Sequence, residues 1–210
     1  MVVNTLRELI IRPQDFFERR QSRPTFLRYA VFTIVAQTAV AVFCVLMSDK
    51  TLNAWAIIGT IFLAGTILTT KLTAAVLFLY LAVLVLGTRS KNLYRTCASI
   101  TVHAWTPLLL GRLCAAICGF IIYCERGSDF SSITFVNVNA FLAAFHLPVF
   151  LMFEKADIFA AWFIIVFSLG IRISFSLNKI MAAIIAAADW IFVAALQESI
   201  FQYFKSSFYG

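Results

Sequence analysis

Five apolar runs dominate this chain. A helix rises about 1.5 Å per residue and a bilayer core is about 30 Å thick, so a crossing takes about 20 mainly apolar residues. The runs lie near residues 26–47, 71–87, 101–121, 158–175 and 180–200. With 62% of 210 residues apolar and only 13% charged, too little polar surface remains to coat a soluble globule of this size. The first run is too long for a signal-peptide core, and no small-x-small cleavage pattern follows it, so it is expected to stay as an anchor. The fold expected is all-α: a polytopic bundle of five transmembrane helices with additional interfacial or re-entrant segments. The organisation expected is a basic amphipathic arm (1–25), the transmembrane domain (26–200) and a short C-terminal tail (201–210).

Two more apolar stretches, 54–68 and 135–153, leave the number of crossings open, and charge arbitrates. Lysine and arginine collect in cytoplasmic loops. The strongest collection is Arg7, Arg12, Arg19, Arg20, Arg23 and Arg28 at the N-terminal end, which is therefore read as cytoplasmic. With five crossings, the loop holding Arg89, Lys91 and Arg95 and the turn holding Arg172 and Lys179 return to that side. Counting either extra stretch as a crossing sends one of these basic loops outside. Residues 54–68 are accordingly expected to be a bent extension of the second helix, and 135–153 an interfacial or re-entrant element broken near Pro148. The C-terminus then lies opposite the N-terminus, in a multi-pass protein of the cell membrane.

The net charge of +7 does not indicate nucleic acid, because the cations cluster at the ends of apolar runs instead of lining one face. The five cysteines are odd in number and sit mostly inside apolar runs, where a thiol packs as a small hydrophobe. Cys114 and Cys118 share a helix face, but no His, Asp or Glu stands beside them at ligand spacing. No H-E-x-x-H, G-x-S-x-G or Walker-type glycine loop occurs, so no enzyme activity, cofactor or metal site is expected.

Polar groups within the apolar runs are few. An ionised side chain at mid-depth costs roughly 2.5–3.5 kcal/mol on insertion scales and needs a partner or a use. Arg112 and Asp189 lie near the middles of the third and fifth runs, on faces rich in small residues, and are expected to pair across them. Lys71, near one end of the second run, is expected to extend to the outer interface. His103 is expected to be a hydrogen-bonded interfacial histidine, with a place on a polar pathway as its alternative role. Gln37, Asn137 and Asn139 are read as bonding to neighbouring backbone.

The order of three segments resembles the Yip1 domain family: "IIRPQDFFERRQSRP" before the first run, "VLGTRSKNLYRTCASITVHAWTPLLLGRL" from the second into the third, and "DIFAAWFIIVFSLGIRISFSLNKIMAA" across the fourth. The family-like positions are Pro13, Phe16, Phe17, Gly87, Pro107, Asp157, Trp162, Gly170 and Lys179. His103 stands where the family more often shows Tyr in a "GYS"-like run, so the chain looks more like a prokaryotic member. The resemblance implies a five-helix membrane protein with a cytoplasmic N-terminus, whose eukaryotic relatives act in vesicle trafficking and bind small GTPases and one another. Pro13 and Pro24 bracket a short element whose Phe16 and Phe17 are expected to dip toward the acyl boundary while Arg19, Arg20 and Arg23 meet anionic headgroups. Together these readings give a non-catalytic scaffold that organises membrane or recruits partners. Its partners are the lipid bilayer and a membrane protein or a second copy. The alternative is a small transporter or channel built on Arg112 and Asp189.

Overall fold

A computed structural model describes residues 8–20, 27–48, 54–88, 92–126 and 157–209. The stretch 135–153, with His146 and Pro148, lies outside the described residues, as does Arg23. Seven helices follow in order: α1 Pro13–Arg20, α2 Leu27–Ser48, α3 Ala54–Val85, α4 Leu93–Ala104, α5 Thr106–Arg126, α6 Ile158–Phe175 and α7 Lys179–Tyr209. Five spans within them, Leu27–Met47, Ile57–Val85, Leu93–Ile121, Ile158–Phe175 and Lys179–Ile200, are long and apolar enough to cross a membrane.

Local chemistry sets the boundaries. Pro13 opens α1, where a missing N–H is no loss. At the end of α3, Gly87 adopts φ +79°, and the N–H groups of Gly87 and Thr88 donate to Leu84 and Val83 carbonyls at 3.0 and 3.3 Å. That is a left-handed cap, which glycine enters without steric penalty. Pro107 has no N–H for the His103 carbonyl, and its ring crowds that carbonyl. The third span is accordingly split at Trp105 into α4 and α5. Asp157 caps α6 by accepting from Ala160 N–H at 2.8 Å, and Asn178 does the same for α7 through Met181 N–H at 2.7 Å.

Two helices run beyond the apolar runs that mark them. Helix α3 has 32 residues, with 54–68, expected as an extension of the second helix, as its first part. At about 48 Å it exceeds the bilayer core. Its first turns stand clear of the bundle, with Trp55 79% and Phe62 76% exposed, and burial begins only at Leu68. Lys71 is therefore mid-helix and buried, so it does not extend to an interface. The fifth helix runs on to Tyr209, through residues expected to form a tail.

Helix α2 packs on α3 and α5, α3 on α4 and α7, α4 and α5 on α6, and α6 on α7; α1 packs against α6. The core where these meet includes Leu79, Val83, Ile100, Val166, Phe167 and Ala186. Outward faces are also apolar, with Val35, Leu81, Ile165 and Ile184 all more than half exposed. A lipid-facing bundle has this character, because the surrounding hydrocarbon is as apolar as the side chains.

Candidate functional site: an anchored arm and a polar cavity

The arm does not rest its aromatic pair on lipid. Phe16 and Phe17 are 1% and 4% exposed, and Leu9 is 1% exposed. Phe16 lies 4.9 Å from the His103 ring, which stacks on Tyr29 at 4.5 Å. Tyr29 Oη and Thr106 Oγ1 share a hydrogen bond of 3.2 Å, and His103 Nδ1 donates to the Ser99 carbonyl at 2.6 Å. The expectation that Phe16 and Phe17 form a lipid or partner surface is thereby corrected. An apolar slot between α4 and α6 lies within reach of α1 and buries both rings more completely than an interface does.

Gly170 makes that slot. A Cβ there would stand 2.7 Å from Ile100 Cγ2 and 3.0 Å from Phe17, closer than packed atoms tolerate. His103 thus belongs to an aromatic stack beside the arm and does not line the cavity described below.

Cations surround this end. Arg12, Arg19, Arg28, Arg95 and Lys179 are exposed, and Arg172 is half-buried. The arm's own charge is partly offset, because Arg12 lies 3.9 Å from Asp15 and Arg19 lies 3.9 Å from Glu8, both exposed pairs. Arg28, Arg95 and Lys179 stand in the first turns of α2, α4 and α7.

About 20 Å further along α6, at the end holding Asp157, is a cavity of about 230 Å³. Gln37 of α2, Lys71 of α3, Trp105, Arg112 of α5, and Trp190 and Gln197 of α7 line it, with Asp157 at the start of α6. Arg112 donates to Gln37 Oε1 at 2.8 Å, and Lys71 donates to Gln197 Oε1. The Gln37 Nε2 and Trp105 Nε1 donors are buried and without a hydrogen-bond partner among the described residues. Gly111 admits the Phe159 ring beside this space, since a Cβ there would sit 2.7 Å from it. An apolar groove of about 170 Å³, walled by Val40, Ala41, Cys44, Ala115 and Ala116, adjoins the cavity at Gln37 and Arg112.

The expected Arg112–Asp189 pair is not formed. Asp189 is fully buried, yet neither carboxylate oxygen has a hydrogen-bond partner among the described residues. Asp189 does not line the cavity and lies on the packed side of α7 that carries Ala182, Ile185 and Ala186. Helix α5, meanwhile, faces α2 and α6.

Lys71 and Arg112 are brought together, and Asp189 and His103 are each held elsewhere. Gln37, expected to bond to neighbouring backbone, instead accepts from Arg112, and with Gln197, passed over in the sequence, it completes the polar set. One polar side chain in each of several otherwise apolar spans was the signal that pointed to them. The remaining family-like positions are structural in setting: Pro13, Gly87, Pro107 and Asp157 at helix ends, and Trp162 against the core. Among the described residues, no group of three His, Cys, Asp or Glu side chains could hold a metal ion.

A family model described as the Yip1 domain matches residues 7–197. No curated protein and no solved structure matches the chain.

Proposed function

Because the chain belongs to the Yip1 domain family, we propose that it is a non-catalytic scaffold that presents the arm end of its bundle to an anionic partner surface. That end faces the cytoplasm, the C-terminus lies opposite, and the membrane is the cell membrane. The positive-inside bias supports this orientation.

The observation that carries the reading is where the unoffset cations stand. Arg28, Arg95 and Lys179 are exposed in the first turns of three helices and have no ion-pair partner among the described residues. A cation in a first turn opposes the helix dipole by about 0.3–1 kcal/mol. Helix stability therefore does not explain their placement, and an anionic surface facing them does. Each cation near such a surface contributes about 1 kcal/mol. The Phe16/Phe17 anchor holds the arm's own arginines beside them.

The transport alternative needs Arg112 and Asp189 on one path, and their separation takes away its support. The test places the full chain in neutral-lipid nanodiscs and measures capture of phosphatidylglycerol or phosphatidylcholine vesicles. Capture of the anionic vesicles is expected to weaken about a hundredfold when Arg28, Arg95 and Lys179 are all changed to Gln, and to fall with salt. Equal capture of both vesicle types, or no effect of the triple change, refutes the reading.

A further inference from the structure

The cavity toward the Asp157 end of α6 is lined by two cations, each bonded to a neutral amide. The Gln37 and Gln197 side-chain oxygens accept from Arg112 and Lys71, and one Asp157 oxygen accepts from Ala160 N–H. What lines the space besides is the rest of the Arg112 guanidinium, which carries five N–H groups, and the Lys71 ammonium. Two cations against one carboxylate, Asp157, among the lining residues call for an acceptor-rich anion. Space is not limiting, since one water needs only about 10–15 Å³ and the cavity has about 230 Å³.

The apolar groove joins the same space at Gln37 and Arg112. A polar chamber continuous with an apolar slot suits a ligand with a charged head and a hydrocarbon tail. We infer that the cavity binds a phosphate group delivered as an anionic lipid headgroup, with Arg112 and Lys71 donating to the phosphate and the groove between α2 and α5 receiving the start of an acyl chain. This site is separate from the arm-end surface and does not depend on the function proposed for it.

Trp105 and Trp190 line the cavity and report on it by fluorescence. The full chain in a neutral maltoside micelle is titrated with dihexanoyl-phosphatidylglycerol, with dihexanoyl-phosphatidylcholine and with inorganic phosphate. Saturable binding of the glycerol lipid is expected, about tenfold tighter than that of the choline lipid. Arg112→Gln is expected to weaken it tenfold or more, since charge-assisted bonds are the strong ones. Lys71→Gln removes the second cation and is expected to weaken it several-fold, a readout that stands if Arg112→Gln does not fold. Ala115→Leu fills the groove and is expected to weaken the lipid but not inorganic phosphate.

Binding by inorganic phosphate, sensitive to Arg112→Gln or Lys71→Gln, with no lipid binding keeps the phosphate site and overturns the lipid assignment. No saturable signal from any of the three, or lipid binding indifferent to both Arg112→Gln and Lys71→Gln, overturns the inference entirely.

Discussion

Phe16→Ala should release the arm from the bundle while leaving the five spanning segments assembled. The ring is 1% exposed and sits in the aromatic stack with His103, while α1 contacts the bundle chiefly along α6. Truncating a buried phenylalanine costs about 3–5 kcal/mol, transfer and cavity terms together. At about 1.4 kcal/mol per tenfold, the ratio of docked to undocked arm drops between about a hundredfold and several thousandfold. Arg19 is a trypsin site on α1, the Arg12 bond being resistant because Pro13 follows it, and a folded helix resists cleavage. When opening and closing outrun cleavage, the cutting rate follows the open population, so cleavage in the variant should accelerate by that factor until it approaches the rate of a free peptide. Phe16→Leu, which keeps most of the apolar volume, should accelerate it far less. The competing picture, in which the pair rests in the acyl boundary, predicts that cleavage of the natural chain depends on whether lipid or detergent surrounds it. Unchanged cleavage of Phe16→Ala, with a melting temperature also unchanged, would show that the ring anchors nothing.

Three further changes probe the bundle. Asp189→Ala removes two buried oxygens that have no partner among the described residues, so thermal unfolding in detergent should show a gain of about 1–2 kcal/mol; a loss of 3–5 kcal/mol would reveal a hidden counter-charge. Gly170→Ala places a methyl against Ile100 and Phe17 and should destabilise by about 1–3 kcal/mol, with trypsin cutting the arm faster. Asp157→Ala removes the cap of α6 and should lower stability by about 1 kcal/mol, whereas Asp157→Ser should restore most of it.

The five long apolar helices were legible because hydrocarbon thickness sets the length a spanning run needs. The end caps were legible in part, since Gly87 and Asp157 are residues whose backbone preferences announce a boundary. Side-chain partners were not. Arg112 and Asp189 are each central in an apolar run, but pairing them assumed a particular rotation of two helices, and one residue of rotation, from Trp190 to Asp189, changes the face. Nor does composition separate an amphipathic arm on lipid from one inserted into protein, because both ask for aromatic rings on one side and cations on the other. The difference lies in Gly170, about 150 residues away in sequence, which opens the slot that Phe17 fills.

The bonding of Arg112 also bears on what the charges within the spans are for. A bundle shaped only for stability would set the buried Asp189 carboxylate against the Arg112 guanidinium, because an unpaired charge in a low-dielectric interior is among the most expensive features a fold can carry. Here Asp189 is held among small apolar side chains, while Arg112 bonds to the neutral amide of Gln37. An amide fixes the geometry of the guanidinium without cancelling its charge, so the positive potential in the cavity survives folding. Partnering Arg112 with an amide while a carboxylate stands elsewhere in the same core is what a site kept open for an external anion requires. If Gln37→Glu, which supplies the missing carboxylate directly, stabilised the fold and left binding of phosphatidylglycerol intact, that explanation of the arrangement would be wrong.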